Sequence, residues 1–162
     1  MTYVYLVVVF LVICFCGVLL FGAPYLPTLD RQRKTALDLL ELKKGQTLLE
    51  PGSGDGRVLA EAARRGIKGI GIELNPIMVL VSLYVTRKYR KDVKIIWGNF
   101  WRKDWSEADG IYLFLIDKYI GRFDKRVKKL PKKPVKVASF AFKIPNKKPL
   151  REKDGVFLYQ YD

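Results

Sequence analysis

The chain opens on an apolar run. Met1 to Leu29 carries no charged residue, and Tyr3 to Phe21 is Tyr, Val, Leu, Ile, Phe and Cys broken only by Gly17. A stretch of about 20 such residues is what a helix needs to cross a bilayer. It has no basic leader and no small-x-small cleavage site, so it predicts a retained transmembrane anchor over residues 1–22 rather than a cleaved signal peptide. Arg31, Arg33 and Lys34 follow it, and cations on that side place the rest of the chain at the cytoplasmic face of the membrane. Residues 23–30, with Pro24 and Pro27, form a stiff linker.

From residue 31 to 162 the pattern becomes that of one folded domain. Asp30 can cap a helix to about Leu42, with Ala36, Leu37 and Leu40 inward. Thr47–Glu50 reads as a strand, and Val58, Leu59, Ala62 and Ala63 as the inner face of a helix that Gly66 ends. Lys68–Glu73 is a second strand. Asn75 and Pro76 suit the N-cap and first position of a helix from Ile77 to about Lys88. That helix is apolar nearly all round to Val85, so it is buried between sheet and neighbours or lays one face on the bilayer. Val93–Trp97 and Asp109–Leu115 read as strands, the second nearly continuously apolar and so covered on both faces. A basic helix from Tyr119 to about Leu130, then strands at Val135–Phe142 and Gly155–Tyr161, complete the order, the last two as an antiparallel pair. Such alternation predicts an α/β fold, a Rossmann-like doubly wound sheet.

Composition narrows the chemistry. The chain has no histidine, which removes the commonest general base and the Ser/His and Cys/His nucleophile systems. Its two cysteines, Cys14 and Cys16, lie in the apolar run, so no disulfide framework and no metal site is expected. The formal charge is +14 over 162 residues, which favours polyanionic partners. The run Arg122, Lys125, Arg126, Lys128, Lys129, Lys132, Lys133 and Lys136 suits a solvated helix face or anionic lipid headgroups. It lacks the interleaved aromatics of a stacking groove, which ranks nucleic acid lower.

The candidate site is Glu50-Pro51-Gly52-Ser53-Gly54-Asp55-Gly56, a glycine loop between a strand and a helix. Such a turn lets a ligand approach the backbone, and a helix N-terminus favours something anionic. A phosphate-binding P-loop needs Gly-Lys-Ser/Thr, which is absent. The dinucleotide fingerprint needs a third glycine where Arg57 stands. The spacing of Glu50, Gly52, Gly54 and Gly56 instead resembles motif I of class I S-adenosylmethionine (SAM) methyltransferases. Glu73 ends the next strand, where a carboxylate can accept ribose hydroxyl protons. Asn99 follows the third strand, where that class places a contact to the adenine.

The segments 22–28, 52–57, 71–76, 98–100, 108–109 and 159–162 together resemble the small membrane-anchored protein-lysine methyltransferases that act on the c ring protein of ATP synthase and the adenine nucleotide translocase, with prokaryotic relatives. The resemblance implies SAM as cofactor and a protein lysine, on a membrane-associated protein, as acceptor. It implies that Gly52, Ser53, Gly54 and Gly56 shape the loop around the methionine part, with Glu50 and Asp55 close by and Glu50 at its amino group. Glu73 would hold the ribose, Leu74 and Phe100 would flank the adenine, and Asn99 would meet its edge. Asp117 is the candidate for receiving the acceptor ammonium. Two other readings stay open: a catalytically silent SAM-binding or basic membrane-associated protein, and a methyltransferase acting on nucleic acid or a small molecule.

Overall fold

The structure, a computed structural model, describes residues 3–6, 9 and 28–162. The expected anchor, and the linker up to residue 27, lie largely outside the described residues. Among the described residues no helix is long and apolar enough to cross a membrane.

Seven strands form one sheet: β1 (Thr47–Pro51), β2 (Lys68–Glu73), β3 (Val93–Trp97), β4 (Gly110–Leu113), β5 (Val135–Phe140), β6 (Arg151–Lys153) and β7 (Val156–Tyr161). Their spatial order is β3-β2-β1-β4-β5-β7-β6. β1 to β5 run parallel, and β7 is antiparallel to both its neighbours. Within residues 28–162 the α-helices are α1 (Asp30–Leu40), α2 (Arg57–Arg64), α3 (Pro76–Val85) and α4 (Asp117–Val127).

The central strands are apolar on both faces because each face has its own helical cover. Successive residues alternate between two cores. Leu49, Ile111, Leu113, Val137 and Phe157 meet Trp105 and the α4 residues Ile120, Phe123 and Val127. Leu48, Tyr112, Ala138, Val156 and Leu158 meet α1 and α2 through Ala36, Leu37, Leu40, Val58, Leu59 and Ala62. This period of two on a doubly covered sheet is what a continuous apolar strand encodes. Each fully buried aliphatic side chain contributes about 1.5–3 kcal/mol of transfer free energy.

Boundaries differ from expectation where local chemistry competes. α1 ends at Leu40, not Leu42, because Glu41 takes a left-handed conformation (φ 49°). Asp30 is its first residue rather than its cap, and no side chain caps it. α3 stops at Val85, and a 3-10 turn over Arg87–Tyr89 replaces its predicted last turn. α4 begins two residues early, at Asp117. β6, a three-residue exposed edge strand, has no hydrophobic alternation by which to be foreseen.

Asn75 caps α3 as expected: its Oδ1 accepts from the Ile77 N–H at 2.9 Å, with Pro76 at the first helical position. Asn75→Ala is therefore expected to lower stability by about 1 kcal/mol. Urea unfolding of the two proteins checks this through a lower midpoint at unchanged slope.

Candidate functional site

The sheet reverses direction of winding between β1 and β4, and the carboxyl ends of the strands there open the crevice where open α/β sheets bind ligands. The glycine loop fills this edge. Gly52, Gly54 and Gly56 have φ of 79°, 54° and 77°, a region that side chains resist. Gly56 has a second reason. A Cβ there would stand inside the Ser82 hydroxyl of α3, so the loop and α3 touch backbone to side chain. Gly71 of β2 is likewise required, because a Cβ would come 2.6 Å from Leu59 Cδ1 and 2.7 Å from Ser53 Oγ.

The loop is not the anion cradle that a strand–glycine–helix turn suggests. Its N–H groups face inward to the protein's own acceptors. Gly52 and Ser53 donate to the Ile72 carbonyl at 2.8 and 3.2 Å, and Gly56 to the Ser53 carbonyl at 3.0 Å. Gly54 donates to Glu73 Oε2 at 2.8 Å, and Arg57 to Asp55 Oδ1 at 3.2 Å. The carboxyl groups of Glu50, Asp55 and Glu73 gather around the loop.

Glu50, at the end of β1, is buried, and its Oε2 has no hydrogen-bond partner. Burial pushes its pKa well above the usual carboxylate range, and the charges of Asp55 and Glu73 push it further. Ser53 Oγ is a second buried atom with no partner. Glu73 holds both the Gly54 and the Asn75 N–H, each at 2.8 Å, one per carboxylate oxygen, which leaves a lone pair on each. Asp55 differs from Glu50, for Arg57 pairs with it at 2.6 Å.

The residues expected at the adenine side follow β2 and β3. Asn99 is exposed, and its Oδ1 caps a 3-10 turn by accepting the Trp101 N–H at 2.9 Å. Phe100 is half-buried, 4.6 Å from the Trp101 ring between centroids. Leu74 is half-buried, and its carbonyl takes the Trp97 indole N–H at 3.0 Å. Asp117 is exposed on the first turn of α4. It lies on a different element from the carboxylates of the loop.

Two contributors escaped the sequence reading. Thr28 is buried, its hydroxyl 3.0 Å from that of Tyr112 on β4, and its carbonyl accepts from Arg57 at 3.4 Å. Burial raises the Tyr112 pKa, the Thr28 hydrogen bond opposes this, and the Glu50 charge adds to it, so the phenol stays protonated. The linker therefore ends pinned at the site. Ser82 is the other. Its signal was present, as a single small polar residue inside the apolar run of α3.

The strand order and the reversed β7, with a carboxylate at the end of each of the first two strands, are those of the class I methyltransferase fold. Solved structures agree. A Salinibacter ruber protein described as an RNA methyltransferase, crystallised with S-adenosylhomocysteine, matches with a TM-score of 0.77 at 26% identity, over 84% of this chain and 92% of its own. A methyltransferase from Geobacter metallireducens described as precorrin-6y C5,15-methyltransferase shares the fold at a TM-score of 0.61 and 17% identity, over 72% of this chain and 65% of its own. Within that class the chain belongs to the ANTKMT methyltransferase domain family, whose model matches residues 50–151. A human lysine N-methyltransferase named for the c-type subunit of ATP synthase is 27% identical over 76% of this chain and 53% of its own length. A protein-lysine N-methyltransferase of Saccharolobus islandicus is 27% identical over 84% of this chain and 92% of its own. The chain thus spans about half the length of the human relative and nearly all of the archaeal one.

Glu50→Gln tests the strained carboxylate. The folded state holds the Glu50 proton more tightly than the unfolded chain does, so wild-type stability falls as pH rises above 4.5 through the raised value. The ligand-free variant lacks that loss. The two unfolding free energies should coincide at acid pH and separate by about 1–2 kcal/mol in favour of glutamine as pH rises. Thermal scans across pH read the separation directly.

Proposed function

We propose that the chain is a SAM-dependent methyltransferase that methylates a lysine side chain of a membrane-associated protein, and that its apolar N-terminus tethers it to that membrane with the domain on the cytoplasmic side. The observation that carries the cofactor assignment is the acceptor-rich loop. A phosphate-bearing ligand would face Glu50 and Glu73 with the loop N–H groups already engaged. A ligand that brings an ammonium and two ribose hydroxyls suits the same atoms: the unpartnered Glu50 Oε2 and Ser53 Oγ, and the remaining lone pairs of Glu73. When bound, SAM supplies a methyl group made electrophilic by its sulfonium.

The remaining work falls to the chain's own residues. Glu50 neutralises the ligand's amino group, and Glu73 fixes the ribose against the loop. Leu74 and Phe100 offer apolar walls to the adenine, and Asn99 has a free amide donor for its edge. The three glycines let the backbone come close. An acceptor lysine must shed a proton from a pKa near 10.4 before it can attack. Phe114 and Phe140, 4.7 Å apart at the carboxyl ends of β4 and β5, form an apolar rim that would desolvate the ammonium and lower that pKa. This removes the need for a histidine base. Asp117, exposed nearby in sequence, is assigned the first contact with the incoming ammonium.

Support for a lysine acceptor comes from the family and from the two relatives named for that activity. The second reading is an RNA acceptor, favoured by the +14 charge and the description of the Salinibacter ruber structure. Incubation with isotopically labelled SAM and membranes is expected to label a protein band, with the label on lysine after hydrolysis. Label in RNA or lipid instead would overturn the acceptor assignment. Glu73→Ala is expected to weaken SAM binding about 10- to 100-fold, the loss of charged hydrogen bonds worth about 1.5–3 kcal/mol. Unchanged affinity by titration calorimetry would remove Glu73 from the ribose site.

A further inference from the structure

Helix α3 is built the wrong way round for a core helix. Its sequence, Pro76-Ile77-Met78-Val79-Leu80-Val81-Ser82-Leu83-Tyr84-Val85, is apolar at almost every position, yet Ser82 is its only buried residue. Leu80 is 68% exposed, Tyr84 66%, Leu83 48% and Val81 36%. The buried serine faces Gly56 of the loop, and Thr86, just past the helix, donates its hydroxyl to the Ser82 carbonyl at 2.7 Å. The polar side thus packs inward by small residues and the bulky apolar side is left outside. Contiguous exposed apolar surface of this kind marks an interaction site.

The two ends of the helix say what covers it. At the end near the cofactor loop stands Trp97, 63% exposed on the edge strand β3, with its indole N–H fixed on the Leu74 carbonyl. At the other end the chain runs through Arg87, Lys88, Arg90 and Lys91, with Asp92 the next residue. None of these four cations is in an ion pair among the described residues. The Arg87 guanidinium lies over the Tyr84 ring, 3.9 Å from its centroid. A ten-residue helix is about 15 Å long. Its apolar side is bracketed by an indole at one end and a basic cluster at the other, the composition of a helix that lies in the plane of a membrane interface.

We propose that the exposed face of α3 is a bilayer-contacting surface, with Leu80, Leu83 and Tyr84 entering the headgroup–acyl boundary, Trp97 at its margin, and Arg87, Lys88, Arg90 and Lys91 on anionic headgroups. This goes beyond the proposed activity and does not rest on it. It also separates two basic regions. The α4 run covers the opposite face of the sheet, where Arg122 and Arg126 lie over Trp101 and Trp105 at 4.3 Å. Of these two basic regions, among the described residues, the α3 side is the one with large exposed apolar side chains beside it. Because α3 starts two residues after Leu74, docking would hold the adenine side of the crevice at the membrane surface.

The test uses the full chain carrying Cys14→Ser and Cys16→Ser, with a single new cysteine labelled by the environment-sensitive fluorophore NBD. Leu80→Cys and Leu83→Cys report on the face, and Leu150→Cys, at an equally exposed position (62%), is the control. Circular dichroism confirms folding of each. In vesicles containing phosphatidylserine the probes on α3 should shift to the blue and be quenched by nitroxide-bearing lipid, while the control stays in water. Lys88→Gln and Lys91→Gln should lower the ratio of docked to undocked domain about fivefold per charge removed. Probes on α3 that match the control would overturn the proposal. So would a blue shift that is already complete without vesicles, because the face would then be covered by another part of the chain or a second copy. Equal quenching in purely zwitterionic vesicles would remove the basic cluster from the contact. SAM affinity of the same proteins is measured separately, so loss of docking is distinct from loss of the cofactor site.

Discussion

The Glu73 carboxylate holds the site together. One oxygen takes the Gly54 N–H and the other the Asn75 N–H, so a single side chain ties the glycine loop after β1 to the start of α3 after β2. Around this bridge the backbone has little freedom. Gly71 must lack a side chain so that Ser53 and Leu59 can close over β2, and Gly56 must lack one so that Ser82 can reach the loop. The consequence is chemical. With the N–H groups of Gly52, Ser53, Gly54 and Gly56 taken up by the protein's own acceptors, the loop gathers the carboxyl groups of Glu50, Asp55 and Glu73 in a chain of net charge +14.

This clustering puts an energetic cost on Glu50. A buried carboxylate with an unpartnered oxygen beside two other carboxylates destabilises the ligand-free protein, and sites of binding are where such local violations occur. In the proposed function a cationic ligand relieves this strain, and its binding free energy includes that relief. The Thr28–Tyr112–Arg57 contacts place the end of the linker on the same loop. The proposed tether therefore reaches the cofactor site through a direct hydrogen-bonded path, and α3 reaches it through Ser82 and Asn75.

Much of this was legible in the chain. β2 and β3 fall at the expected residues, because Lys68–Glu73 and Val93–Trp97 end at unambiguous turn chemistry. Asn75-Pro76 carried its own cap. The candidate residues Glu50, Gly52, Ser53, Gly54, Asp55, Gly56 and Glu73 do assemble at one edge. Less legible were features that depend on contacts distant in sequence. The inward orientation of the loop N–H groups reverses the anion-binding expectation, since it depends on Ile72 and Glu73 of the next strand. The pairing of Asp55 with Arg57 sets it apart from Glu50, and spacing alone treats the two as equals. The exposure of α3 could be read either way from an all-apolar sequence, and only the packing of Ser82 decides it. β6 left no signal because an edge strand of three exposed polar residues needs no hydrophobic period.

In the proposed function this loop recognises a cation through Glu50. The pH dependence of SAM affinity, followed by calorimetry between pH 5 and 7 in buffers of differing ionisation enthalpy, tests it most directly. Glu50 gives up its proton when the ligand's amino group pairs with it. Affinity should therefore rise with pH, by up to about tenfold per unit, with proton release on binding that vanishes in Glu50→Gln. Affinity that is flat across this range with no proton released would contradict the account.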